Sequence, residues 1–514
     1  MDAPQWREVT LVLTATQQYP HPYVDVELWA DFVHDDGTLL RRPGYWDGGQ
    51  RWCVRFASTC AYGRWRWHST ATTPDAGLHQ TGELFAQPAR GDLRWQRHGF
   101  WRMAPNSRNL VHADGTGALL VGDTAWGLPW RATPADCLTY ARDRQSKGFN
   151  AVLLMSIQPD MRAEGPTDRS ADEGFARSFA DLPQGRLTEL LPEYFHEFDT
   201  LRAILLDHDL VPVLQPVFMG FGWKGLDVAG PVVPPSDYAR YCRYLVARYG
   251  AGPVLYLVGG DGSGYEPPVA AGGAEVHAWD CYAQPTGIHY RPHADFCAHQ
   301  EAEWLDFQWC QTGHSGEHMP ERVADMWRNL PIKAIANGEP TYEHMTMWGQ
   351  AAGWWQGSEA WVNLCAGATM GVVYGAGSLW QWRLHGAEPG HEPFFLAEGC
   401  GWREALAFDG STYVGMLGRI LQHYTLTDAV PDWEVTLGRR GLRRGNEFFL
   451  CYSEAGGPLM IVSDTVPLPY RIYDPRTGDC LATGIRGVGE FFIPAPAGQP
   501  IVYICMQMVP NERS

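Results

Sequence analysis

The sequence predicts an α/β protein: a (β/α)8 TIM barrel flanked by an N-terminal β-sandwich and a C-terminal all-β domain. Three observations carry this reading. The chain has 514 residues, and at about 150 residues per domain that length calls for more than one unit. Both ends alternate apolar and polar residues in short runs punctuated by Gly, Pro and Asp, the pattern of antiparallel strands with one buried face. From 118 to 382, eight β-like apolar runs recur between helical stretches, and eight β/α repeats in about 250 residues is the size of a TIM barrel. A doubly wound open sheet is the competing arrangement for the same repeats.

Residues 1–95 form the predicted sandwich module, with alternating runs at 9–14, 24–29 and 51–56. Residues 96–424 hold the barrel. Its strands are expected at 118–121, 151–155, 211–214, 254–258, 332–336 and 370–374, and two less apolar runs at 286–289 and 304–309 complete the set. Helices are expected over 194–209 and 237–248. Residues 425–514 return to short alternating runs, as at 446–452 and 489–494, and form the predicted C-terminal β domain.

Composition narrows the class. The chain is 45% hydrophobic and 19% charged, with 57 Gly and 37 Pro dispersed along it, as in a folded protein rather than a disordered one. Forty basic residues against 58 acidic ones give a net charge of −18, with no basic patch to offset it. This argues against nucleic acid and against an anionic membrane surface as partners. No apolar run approaches the roughly 18 residues of a membrane span. Residues 1–20 show no basic segment leading into an apolar core, so a cytoplasmic protein is expected, or a secreted one whose signal peptide has been removed. The 12 Cys are scattered without a C-x-x-C and read as small buried hydrophobes. Cys53 and Cys60, near the two ends of one strand-like run, are the pair that a disulfide could join. The 23 Trp, 22 Tyr and 20 Phe offer flat apolar faces with polar edges, which suit sugars as well as cores.

In a TIM barrel the chemistry sits at the C-terminal ends of the strands. Those positions carry Asp123 and Trp126, Gln215, Asp261, His289, Gln311 and His314, Glu339 and Tyr342, and finally Trp380 and Trp382. Asp261 after the fourth strand and Glu339 after the seventh would face each other across the mouth. Two facing carboxyls are what glycoside cleavage needs, one protonated to serve the leaving oxygen and one ionised to attack the anomeric carbon. Each residue also has a plainer reading. A loop Asp or Glu is commonly a solvated charge or a helix cap, Asp123 could be an anchor that orients Trp126, and the Trp354, Trp355, Trp361, Trp380 and Trp382 cluster could be packing, with Trp380 and Trp382 the candidates for sugar platforms. Glu343 is the rival nucleophile. His314-Ser-Gly-Glu-His318 fits the H-x-x-E-H zinc pattern, but that mechanism wants both His on one face of a helix, and Ser, Gly and the nearby Pro320 oppose a helix here. The Gly-rich stretch 259–264 lacks the Lys of a phosphate loop, and no G-x-S-x-G elbow occurs. No metal and no cofactor is therefore expected, and the partner is a carbohydrate. A non-catalytic sugar-binding protein is the alternative from another class.

Several motifs resemble those of the apiosidase-like family of (β/α)8 glycoside hydrolases: Leu120-Val-Gly-Asp-Thr-Ala-Trp126, Gly148-Phe-Asn150, Val258-Gly-Gly-Asp261, Gln311-Thr-Gly-His314 and Gly338-Glu-Pro-Thr-Tyr-Glu343. Tyr45-Trp-Asp-Gly-Gly and the run to Trp67 are similar to the β-sandwich module that often precedes such barrels, and Tyr473-Asp-Pro-Arg-Thr-Gly478 to the β domain that follows them. The resemblance covers nearly the whole chain. It implies a retaining mechanism with Asp261 as general acid/base and Glu339 as nucleophile, and a small sugar such as the branched pentose apiose as the unit removed. The local variation Gly262-Ser-Gly264 departs from the family pattern. A polar ring of Asp123, Gln215, His289, Gln311, His314 and Tyr342, with Trp126, Trp380 and Trp382 beside it, would enclose one terminal residue and make the enzyme exo-acting.

Overall fold

The computed structural model describes residues 1–162, 169, 174, 176–220, 227–292, 294, 296–314, 317–344, 352–388, 399–432, 440–463 and 467–506. The N-terminal alternating runs become two facing sheets. One takes strands Asp2–Pro4, Thr81–Gln87, Arg64–Ala71, Leu28–His34 and Leu39–Pro43 in that spatial order, and the other takes Glu8–Thr14, Arg51–Ala57 and Tyr45–Trp46. Inward side chains from the two sheets interlock: Phe32 stacks on Phe56 with ring centroids 4.0 Å apart, and Trp65 meets Phe56 edge-on at 5.1 Å. The run expected at 24–29 is not one strand. Pro22, whose fixed φ suits a first helical position, opens the helical turn Pro22–Asp25, closed by the Asp25 carboxylate accepting from His21 N–H at 3.0 Å, and the strand starts only at Leu28. Cys53 and Cys60 are both free thiols.

Eight parallel strands form the central sheet: Leu120–Thr124, Ala151–Met155, Val211–Gln215, Leu255–Gly262, Thr286–Tyr290, Phe307–Gln311, Ala334–Glu339 and Gly371–Tyr374. The eighth pairs with the first, from Leu120 opposite Gly371 to Asp123 opposite Tyr374. The seventh and eighth pack side by side, so the sheet closes as a barrel rather than opening as a doubly wound sheet. The strands are buried almost throughout, as parallel strands covered by helices must be. Helices Pro192–Asp207 and Pro235–Tyr249 stand near their expected positions. Helix Pro134–Lys147 is the best specified locally. Thr133 and Asp136 form a reciprocal capping box, Pro134 occupies the first turn, and Gly148 ends the helix at φ 103° with the Gly415 carbonyl too close for any side chain.

The C-terminal unit packs a six-stranded antiparallel sheet and a two-stranded one around Phe449, Ile461, Ile472, Ile493 and Tyr503. It docks on the barrel helix Trp354–Cys365, where Ser358 Oγ and Trp354 Nε1 both donate to the Glu454 carboxylate, at 2.7 and 3.0 Å. Among the described residues no helix is long and apolar enough to cross a membrane.

The sandwich is fastened to the barrel by charge. Arg55 of the sandwich and Arg248 of the barrel both reach the Asp199 carboxylate, at 2.5 and 2.7 Å, and Arg248 also meets Asp47 at 3.0 Å. Arg55 further donates to the Arg248 backbone carbonyl at 2.6 Å. Asp199→Ala would leave two buried guanidinium groups short of a counter-charge, and breaking such a pair costs roughly 3 kcal/mol. The expected result is an unfolding free energy from denaturant titration lowered by that amount, with an earlier midpoint and with glycosidase activity of the folded fraction retained; an unchanged midpoint would show that the network is not a fastening.

Candidate active site

Two irregularities in the barrel strands aim the two candidate carboxyls. The fourth strand shifts register against the fifth twice, between Leu257 and Gly259 and between Gly260 and Gly262, and Asp261 within the second shift has φ 55°. A non-glycine residue held at positive φ stores strain, and such strain collects at functional positions. The seventh strand shifts against the sixth between Cys310 and Gln311, so that Gln311 lies opposite Glu339 and Gly338 is skipped. Bulges of this kind re-aim a side chain at a strand end. Glycine is required around both: a Cβ on Gly220 would lie 2.1 Å from Asp261 Oδ2, and one on Gly338 would meet Trp309 at 2.7 Å.

The carboxyls receive opposite treatment. Burial pushes Asp261 well above the ordinary carboxylate range, and the negative charge of Glu339 pushes it further, with Arg291 opposing. Burial would raise Glu339 too, yet it is held below its ordinary value by the His314 hydrogen bond, by the fields of His314 and His289, and by Gln311. His314 Nδ1 accepts the Tyr342 backbone N–H at 3.1 Å, so the ring proton sits on Nε2 and is donated to Glu339 Oε1 at 3.1 Å. His289, with Nε2 3.7 Å from Glu339 Oε2, is kept toward the neutral form by burial.

Aromatic residues surround this pair. Trp126 Nε1 donates to Tyr342 Oη at 3.1 Å, the Tyr342 ring lies 4.5 Å from His314 and 6.2 Å from Trp380, and Trp126 lies 6.0 Å from His289. Gln215 fills the space beside Gly260, and neither of its amide atoms has a hydrogen-bond partner among the described residues. Asp261, Glu339, Trp126, Gln215, His289, Gln311, His314, Tyr342 and Trp380 are thus brought to the end of the barrel where the bulges lie.

Two predicted residues are not. Asp123 faces the helix layer, where its Oδ2 accepts from Tyr140 Oη at 2.8 Å and from Arg144 Nε at 2.6 Å, leaving it fully buried. Trp382 is fully buried between Trp402, stacked at 4.3 Å, and Tyr140 at 5.6 Å, and offers no face to a sugar. Glu343 is a structural acceptor, taking hydrogen bonds from Tyr374 Oη at 2.6 Å and from the Gly353 and Gly410 N–H groups at 2.7 and 3.0 Å. The H-x-x-E-H reading loses its helix: residues 315 and 316 lie outside the described residues, His314 turns to Glu339, His318 packs on Trp355 at 4.2 Å, and the next helix begins at Pro320.

Sequence reasoning passed over two groups. Gln158, just beyond the second strand, is buried with both amide atoms unpartnered among the described residues, and its signal was available as a polar residue following an apolar run. Glu359, beneath Thr312 and Thr341, is pushed up to about 8 by burial; it lies on a helix, where a lone acid carries no such signal.

A parallel eight-stranded barrel with an unequal carboxyl pair at one mouth defines a class, the TIM-barrel glycoside hydrolases. Residues 104–428 match the family model described as the apiosidase-like catalytic domain, and residues 2–72 match a domain of unknown function, DUF5060. The chain belongs to the apiosidase-like family and is a glycoside hydrolase. Its fold is similar to that of a candidate glycoside hydrolase from Bacteroides vulgatus ATCC 8482, at 16% identity and a TM-score of 0.74 over 98% of this chain and 100% of that one. It is also similar to a glycoside hydrolase family 5 structure from the same organism, at 19% identity and a TM-score of 0.66 over 81% of this chain and 95% of that one. No curated protein matches it.

Gly220→Ala should test the close approach at Asp261. The added methyl must displace the carboxyl, so turnover is expected to fall by about tenfold or more, given how steeply rate depends on placement, while the thermal midpoint stays within a degree or so; unchanged turnover would place Asp261 outside the chemistry.

Proposed function

We propose that the enzyme cleaves glycosidic bonds with retention, Asp261 acting as general acid/base and Glu339 as nucleophile, and that it acts from the chain end to release one small sugar, a pentofuranose such as apiose. The observation that carries this reading is the meeting of two buried carboxyls at facing strand ends, whose surroundings push Asp261 toward its protonated form and Glu339 toward its ionised one. An acid that stays protonated and a neighbour that stays ionised are the two states the first step requires. In that step Glu339 attacks the anomeric carbon while Asp261 gives its proton to the departing oxygen. Asp261, now ionised, takes a proton from water as that water attacks the glycosyl-enzyme ester, and Glu339 leaves as carboxylate. Retention requires a carboxyl spacing of about 5 to 5.5 Å rather than the wider separation that admits a water, and the anomeric configuration of the first-formed product, followed by NMR, tests it.

Buried amides and an imidazole without a hydrogen-bond partner among the described residues support an end-on pocket, because Gln215, Gln158 and His289 would each meet a sugar hydroxyl directionally, and a buried polar group left unmatched is costly. Trp380 and Trp126 supply the apolar wall. The twelve free cysteines fit a reducing compartment, so we assign the enzyme to the cytoplasm.

Asp261→Asn is expected to lower kcat by about 10²–10⁴-fold, and Glu339→Gln to abolish turnover with the fold intact. Azide should restore activity to Glu339→Gly as a glycosyl azide of inverted configuration. Full activity in Glu339→Gln would overturn the mechanism.

The pH profile has a definite sign. Glu339 must be ionised and its carboxyl is held down, so kcat/KM should be lost only as pH falls below the ordinary Glu range of about 4.3. Asp261 must be protonated and is held up, so activity should be lost as pH rises through its elevated value. The alkaline limb should vanish in Asp261→Asn; a limb that persists there would assign the acid to another group.

A panel of aryl pentosides and hexosides together with pectic and arabinan-derived oligosaccharides tests the sugar. Release of a monosaccharide is expected. Internal oligosaccharides would refute chain-end action, and saturable binding without product would favour the non-catalytic reading.

A further inference from the structure

We propose that His34, Asp36 and Cys60, on the β-sandwich and apart from the glycosidase mouth, form a binding site for one divalent transition-metal ion of the zinc class. His34 ends strand Leu28–His34, Asp36 lies two residues on in the turn that follows, and Cys60 belongs to the loop between strands Arg51–Ala57 and Arg64–Ala71. One ligand atom from each falls within 4.8 Å of the others. His34 Nδ1 is 2.9 Å from Asp36 Oδ1, and Cys60 Sγ is 3.7 Å from Asp36 Oδ2. Zinc bond lengths of about 2.0 to 2.3 Å place the ligand atoms of a tetrahedron about 3.3 to 3.6 Å apart; His34 and Cys60 now face different oxygens of Asp36, so a rotation of that carboxylate and a closing of the three side chains from their present span within 4.8 Å would gather them around an ion.

The surroundings select the right form of each ligand. His34 Nε2 lies 2.8 Å from the Tyr62 carbonyl, which accepts only if Nε2 carries the proton. The lone pair is then on Nδ1, facing the carboxylate, with the ring held by a backbone carbonyl as metal-bound imidazoles are. Trp65 packs on that ring at 4.7 Å, and Gly63, at φ 97°, leaves room where a Cβ would meet Nε2 at 2.5 Å. Two acceptors at 2.9 Å repel unless a proton or a metal cation lies between them, and in the neutral ring Nδ1 is met by the Asp36 N–H at 3.3 Å. The nearby arginines do not serve Asp36: Arg66 pairs with Asp35 at 3.1 Å, and Arg64 is shared between Asp35 at 3.7 Å and Glu83 at 3.1 Å.

On binding, the Cys60 thiol loses its proton to solvent as the sulfur–metal bond forms. One thiolate and one carboxylate then balance the two charges of the ion, neutral imidazole is the third ligand, and water takes the fourth position. The ion would join the hairpin turn to the next loop and stiffen that end of the sandwich.

The test uses the full-length protein, stripped with a chelator, dialysed, kept reduced and titrated with Co²⁺. One equivalent should bind with a thiolate-to-cobalt charge-transfer absorption, displaced by Zn²⁺, and Zn²⁺ should raise the unfolding temperature. Cys60→Ser should abolish the absorption and the Zn²⁺ shift while leaving the metal-free unfolding temperature and the glycosidase activity unchanged. Asp36→Asn should weaken Co²⁺ binding by at least tenfold. Cys297→Ser and Cys480→Ser, which remove exposed thiols elsewhere, should change nothing. No absorption in the wild-type protein, or absorption that survives Cys60→Ser, would overturn the site and leave His34 and Asp36 as a protonated ion pair within a turn.

Discussion

Burial of two carboxyls in one pocket is the constraint on which the rest of the site depends. Removing a carboxylate from water disfavours its charge, and a second charge nearby disfavours it further, so Asp261 and Glu339 cannot both be ionised cheaply. Left alone, either could hold the proton. The asymmetry comes from the donors: His314 and Gln311 are directed at Glu339, whereas Asp261 has the opposing field of Arg291 and feels Glu266 as well. Glu266 is itself pinned by the Ser263 and Gly264 N–H groups at 2.7 and 2.9 Å, which fixes its charge nearby and adds to the pressure on Asp261. The donors directed at Glu339 thus bias the shared proton toward Asp261.

Such geometry needs a backbone that does not relax. Asp261 at positive φ and the paired register shifts persist because the strand on each side is locked into the closed barrel, and the barrel is braced at two places by other units. The sandwich is fixed through Asp199 and its two arginines, and the C-terminal unit through Glu454 on the helix Trp354–Cys365. That same helix carries Glu359, whose carboxyl oxygen accepts the N–H of Thr341, two residues after Glu339, at 3.2 Å. The accessory domains therefore bear on the elements that hold Glu339 in place.

Much of this was legible in the sequence. An apolar run followed by a polar residue marks a strand end in a barrel, and Asp261, Glu339, His289 and His314 were readable for that reason. Which face a strand-end residue takes was not. Parallel barrel strands are buried on both sides, so apolar periodicity carries no inside or outside; the sequence allows Asp123 to line the mouth or to serve as an anchor, and the structure turns it to the helices as an anchor. Trp382 failed similarly, since an aromatic that packs and one that stacks on sugar look alike in composition. The helical turn at Pro22 was hidden by alternation that happened to fit a strand. His34, Asp36 and Cys60 could not be read together because two of them sit in one turn and the third on a loop brought alongside by sheet pairing.

Asp123 nonetheless bears on the site it does not enter. A buried carboxylate needs compensation for its lost hydration, and here Arg144 and Tyr140 supply it from one helix, with Arg144 also paired to Asp143. The contact ties helix Pro134–Lys147 to the end of the first strand. Three residues later comes Trp126, whose indole nitrogen bonds to Tyr342 Oη, and the backbone N–H of Tyr342 is what sets the tautomer of His314. A chain of fixed contacts therefore runs from a charge sealed behind the barrel wall to the proton that His314 gives to Glu339. The motif around Asp123 makes physical sense as the anchor of that chain, and its residue types follow from the need to hold Trp126 still rather than from any contact with a sugar.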